Sequence, residues 1–111
     1  MAISKANTTP ALVDDQRRAG VAAELLKALA HPLRLRIVAL LCQGETFVNA
    51  IAERLHAPQS IVSQQLQILR LRGLVDPLHR DGRTYYRLAR PHLRQMVRCI
   101  DGCLADAGGR S

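Results

Sequence analysis

Three groups of side chains in this chain have types and spacings that can do chemistry. Gln59, Ser60, Ser63, Gln64 and Gln67 place amides and hydroxyls in one short stretch with no acid among them. A Gln amide pairs bidentately with adenine, and a Ser hydroxyl bonds to a base or a phosphate. The second group is basic. Arg70, Arg72, Arg80, Arg83, Arg87, Arg90, Arg94 and Arg98 are opposed in their stretch only by Asp76 and Asp81, supplying most of a net charge of +7. Of the 16 basic residues, 14 are arginine, whose planar fork grips phosphate or guanine where lysine acts as a point charge. A polyanion is therefore the first partner to test, although a solubilising surface or GC-rich codons would give the same composition. The third group is His92, Cys99, Cys103 and Asp106, which share one face when wound at helical pitch. Cys99 and Cys103, one turn apart, can touch one soft ion, and His92 could join them only across a dimer. Cys42 is the remaining thiol.

These groups need elements to position them. Asp14 and Asp15 suit a helix N-terminus, and Val21, Leu25, Leu26 and Leu29 mark an apolar face, predicting a helix over 15–29. Pro32 with Leu33, Ile37, Leu40 and Leu41 predicts a second over 32–42, ending before Gly44. Phe47, Ile51, Ala52 and Leu55 give a short third over 47–55, and Ile61, Leu66, Ile68, Leu69 and Leu71 a fourth over 59–71, capped by Gly73. Two strand-like runs around Asp81-Gly82 signal a hairpin, in which Pro77 must occupy an edge or a strand start. Leu93, Met96, Val97, Ile100 and Leu104 predict a fifth helix over 91–106. The division that results is a flexible arm at 1–13, one domain at 14–107 and a flexible tail at 108–111. The length, 111 residues, holds one core. Two short helices joined by a tight turn and followed by a basic hairpin describe a winged helix-turn-helix of ααααββα order, mainly α, whose fourth helix reads the major groove. Arg70, Arg80 and Arg83 then lie where phosphates pass.

The run Leu26-Lys27-Ala28-Leu29-Ala30-His31-Pro32-Leu33-Arg34-Leu35-Arg36-Ile37, the segment Ser60 to Arg70, Gly73-Leu74-Val75 and the stretch Arg80 to Leu88 resemble the ArsR/SmtB bacterial repressors. The resemblance, over about residues 22–90, implies a homodimer that pairs through its first and last helices. It also implies that the dimer holds double-stranded operator DNA until an effector releases it. Unpaired apolar stripes on those two helices point the same way, and a two-fold dimer predicts an imperfectly palindromic operator.

The effector is open at this level. The family's Cys-Val-Cys site after a Gly-Glu pair is missing, since Gly44-Glu45 is followed by Thr46-Phe47-Val48-Asn49. A last-helix site shared between protomers has candidates in His92, Cys99, Cys103 and Asp106, although Arg90 stands where the family carries an aspartate. Cys42 is the candidate redox thiol, displaced by one turn from the family's sensing position, which here is Ala39. A soft transition-metal or metalloid ion, an oxidant or reactive sulfur, and cysteines that merely fill an interface beside Ile100 and Leu104 are the alternatives. No cofactor is otherwise required. His31, His56 and His79 have no second ligand at metal spacing and read as solvated or capping groups. Tyr85 and Tyr86 read as alternating strand residues.

No phosphate loop, paired carboxylates or zinc-protease motif is present, so an enzyme is not expected. A non-specific nucleic-acid-binding module is the remaining rival; it would not distinguish operator from random duplex. An odd number of cysteines argues against a disulfide-stapled secreted module and for a reducing cytoplasm. The longest apolar run, Ile37 to Cys42, is too short to span a bilayer, so no membrane partner is expected.

Overall fold

Asp15 starts the first long helix, in extended backbone with its carboxylate accepting the Arg18 amide at 2.9 Å. The computed structural model describes residues 11–110. Within them the elements run α1 (Ala11–Asp14), α2 (Gln16–Leu29), α3 (Pro32–Leu41), β1 (Thr46–Phe47), α4 (Val48–Leu55), α5 (Gln59–Leu71), β2 (Val75–Arg80), β3 (Arg83–Leu88) and α6 (Leu93–Arg110). No helix among these residues is long and apolar enough to cross a membrane.

The core is built where α3, α4, α5 and the sheet converge. Ile37, Val38 and Leu41 from α3, Ile51 from α4, Val62, Leu66 and Leu69 from α5, and Leu74 and Val75 leading into β2 are all fully buried. Those spacings of three, four and seven are the stripe of a helix that packs on one side. The α4–α5 turn forms because His56 adopts a left-handed conformation at the C-cap of α4, and Pro58 then enters α5 from extended backbone. At the other end of α5 the amides of Gly73 and Leu74 bond to the carbonyls of Arg70 and Leu69, both at 2.9 Å. That pattern requires the positive φ of 74° that Gly73 adopts.

The sheet has the order β1-β3-β2 and is antiparallel throughout. β2 is an edge strand, which accommodates Pro77 opposite Tyr86. Asp81 and Gly82 connect β2 to β3 with φ values of 51° and 72°, both positive as a two-residue hairpin turn demands.

Several boundaries differ from the sequence expectation. Thr46–Phe47 is a strand paired with Tyr86 and Tyr85, not the start of a helix from 47; two residues are too few to show strand alternation. Ala11–Asp14 forms a helical turn where an arm over 1–13 was expected, and residues 1–10 lie outside the described residues. The last helix begins at Leu93, after Pro91 and His92, and continues through Gly108 and Gly109 to Arg110, so the expected tail at 108–111 is helical over its described part. The outer helices are incompletely covered. In α2 only Ala28 and Leu29 are buried, while Val21 is 65% and Leu26 53% exposed; Leu104 of α6 is 64% exposed.

Candidate nucleic-acid interface

Helix α5 turns Val62, Leu66 and Leu69 inward, so the opposite face must look out. Gln59, Ser60, Ser63, Gln64, Gln67 and Arg70 are all exposed and occupy that outer side. The structure therefore gathers the predicted polar residues on one accessible helical surface. Gln65 is excluded from it: half-buried, its Oε1 accepts from Arg34 Nε at 2.8 Å.

The wing places its basic residues at the hairpin tip. Arg80 and Arg83 are direct cross-strand partners, and two like charges so placed repel unless something compensates. Here Arg80 pairs with Glu45 and lies 5.1 Å from the centre of the Tyr85 ring. Arg83 sits 4.4 Å over Phe47, and Phe47 packs edge-on to Tyr85 with ring centres 5.6 Å apart. The aromatic faces hold both guanidinium groups while leaving their residues exposed. Tyr86, on the opposite face of β3, packs against the core, so the two tyrosines do alternate. His79 and Thr84 form a 3.1 Å side-chain pair across the same hairpin.

The three thiols lie at the end of α3 and on α6. Cys99 and Cys103 are free, exposed and one turn apart on α6. His92 precedes that helix in a turn, and no group of three or more His, Cys, Asp or Glu side chains positioned to hold a metal occurs among the described residues of one chain. Any ligand set containing His92 or Asp106 with the cysteines would have to be completed from outside the chain. Cys42 caps α3 and is half-buried; burial pushes its thiol pKa up, against the opposing pull of Arg94 and Arg98. Arg94 Nε also donates to the Cys42 carbonyl at 3.0 Å, tying α3 to α6.

Sequence reasoning passed over Glu45, Phe47, Arg34 and Gln65 as participants. The Arg34–Gln65 link had a readable signal: Arg34 stands three, four and seven residues before Ile37, Val38 and Leu41 and so shares their buried stripe. Glu45 and Phe47 gave none, because only the β1–β3 pairing brings them to the wing.

The profile of the bacterial regulatory protein arsR family matches residues 31–76. A biofilm growth-associated repressor of Xylella fastidiosa is 35% identical over 96 residues, covering 85% of this chain and 84% of the relative. Among solved structures, HlyU from Vibrio cholerae superposes with a TM-score of 0.72 at 31% identity, covering 78% of this chain and 94% of HlyU. That protein is known as a transcriptional activator. A homodimeric winged helix-turn-helix DNA-binding domain from Mycobacterium bovis, solved by solution NMR, gives a TM-score of 0.76 at 28% identity with 95% of each chain covered. With its helix-turn-helix, its wing and a repressor relative matched over most of both lengths, this chain belongs to the arsR family of bacterial regulatory proteins and is a DNA-binding transcriptional regulator.

Proposed function

We propose that the protein acts as a homodimeric repressor that sets α5 into successive major grooves of a palindromic operator and releases it in response to a thiol-dependent effector. The observation that carries the DNA-reading part is the exposed, acid-free face of α5 beside the arginine-tipped wing. Ser60, Ser63, Gln64 and Gln67 are the base readers, with Gln59 at the helix N-terminus, while Arg70, Arg80 and Arg83 neutralise phosphates. The homodimer reading draws on the exposed Val21, Leu26 and Leu104 and on the homodimeric Mycobacterium bovis neighbour. Repression is favoured by the Xylella fastidiosa relative, and a reporter assay that instead gives activation would align the chain with HlyU.

The thiol part rests on Cys99 and Cys103, which are exposed and spaced to act on one soft ion or one oxidant. Cys42, its thiolate disfavoured by burial, is the slower partner. The deciding measurement is fluorescence anisotropy of the protein on its own promoter and on random duplex: reduced, then oxidised or persulfidated, then with soft metals. Selective binding released by one treatment and restored by reductant or chelator is the expected result. Selective binding indifferent to every treatment would overturn the thiol effector, and equal affinity for both duplexes would overturn sequence reading. Within that assay, Gln64→Ala lowers preference for the promoter by about tenfold. Arg83→Ala weakens both duplexes and flattens the salt slope by about one unit.

A further inference from the structure

We infer that Arg34 is a positioning residue for DNA reading: its guanidinium ties the end of α2 to Gln65 of α5, so that α2 sets the roll of the reading helix. The inference rests on the DNA-reading role proposed for α5. The Ala28 carbonyl, in the last turn of α2, would ordinarily accept from the amide four residues on, but that residue is Pro32 and has no hydrogen to donate. Arg34 Nη1 supplies the missing donor at 3.2 Å, and its Nε simultaneously donates to Gln65 Oε1 at 2.8 Å. One rigid fork thus joins a buried carbonyl at a helix C-terminus to a side chain next to Gln64.

Packing and the Arg34 fork act on different aspects of this geometry. Val62, Leu66 and Leu69 set how deeply α5 sits, but apolar contact is non-directional and specifies rotation about that ridge less sharply than a hydrogen bond at its flank. The Arg34–Gln65 hydrogen bond lies at that flank and is directional, so it favours one rotation of α5. Glu24 of α2 also approaches Arg72, the C-cap of α5, at 3.8 Å, and Arg90 Nε donates to the Gly73 carbonyl at 3.3 Å. Both of those ties are exposed, which leaves the half-buried Arg34 pair as the stiff one. Since α2 also presents the exposed Val21 and Leu26, whatever covers that face bears on the helix that turns Ser63 and Gln64 toward DNA.

The test compares affinity for the promoter duplex and for a random duplex in wild type, Arg34→Lys, Gln65→Ala, the combined variant and Gln65→Glu, with circular dichroism confirming that each is folded. Lysine keeps the charge but cannot span both acceptors. Arg34→Lys and Gln65→Ala are expected to lower the promoter-to-random ratio about tenfold, with random-duplex affinity held within about twofold. The combined variant should be no worse than either alone, and Gln65→Glu, which keeps an acceptor for Arg34, should retain the ratio. Equal losses on both duplexes, an unchanged ratio, or additive losses in the combined variant would overturn the positioning role. A wild type without promoter preference would overturn the DNA reading and this inference with it.

Discussion

At the scale of single residues, Glu45 competes with the phosphate contact proposed for Arg80. The carboxylate holds the Arg80 guanidinium in the free protein, so a phosphate must displace it. Glu45→Gln should therefore strengthen binding to promoter and random duplex alike by about two- to fivefold and steepen the salt dependence by up to about one unit. Weaker binding in the same titration would mean that Glu45 aims Arg80 instead of restraining it. Cys42 gives a second residue-scale prediction. Its raised pKa keeps the thiol protonated at neutral pH, and half-burial limits access. Carbamidomethylation near pH 7.5 should modify Cys42 about tenfold more slowly than Cys99 or Cys103, as read by peptide mass spectrometry. The lag should shrink as pH rises through the raised pKa, because the reactive thiolate is then released. An equal rate at all three sites would remove the distinction drawn between them.

At the scale of elements, two glycines with left-handed backbones have different tasks, Gly73 ending the helix proposed to read DNA and Gly82 turning the wing. Gly73 closes α5 through hydrogen bonds that also direct Leu74 and Val75 into the core. A Cβ there would meet only Arg90 Nη2, at 3.8 Å, so Gly73→Ala is strained by its φ of +74° and not by crowding. A cost of about 1–2 kcal/mol follows, visible in denaturant unfolding at fixed protein concentration. Gly82 has the same kind of φ but open space around its Cβ position, and it sits at the wing tip outside the core. Gly82→Ala carries the same backbone strain, about 1–2 kcal/mol, and should in addition weaken both duplexes together by disturbing Arg80 and Arg83. No stability loss at either glycine, or unchanged duplex affinity in Gly82→Ala, would refute this account. Both glycines were legible in the sequence, as were α3, α5 and the hairpin, because apolar spacing and turn residues are local signals. β1 was not, since its existence depends on Tyr85 and Tyr86 arriving from forty residues downstream.

At the scale of the whole molecule, the described chain leaves its outer helices unfinished. Its interior is closed by α3, α4, α5 and the sheet, while Val21 on α2 and Leu104 on α6 remain open to solvent. Those two residues contribute nothing to the monomer core, so replacing either by glutamate should leave far-UV circular dichroism and the sheet intact. In a dimer formed through these helices each change buries unpaired charge, and the assembly should dissociate. A monomer would carry one reading helix and engage one half-site. Losing the intramolecular second contact should lower promoter affinity by about a hundredfold or more, with a much smaller loss on random duplex. Sedimentation velocity and anisotropy on the same Val21→Glu and Leu104→Glu samples test both halves of the argument. A dimer that survives both substitutions would move the interface elsewhere. A monomer that retained full promoter affinity would show that two-fold reading of the operator is not how this protein binds.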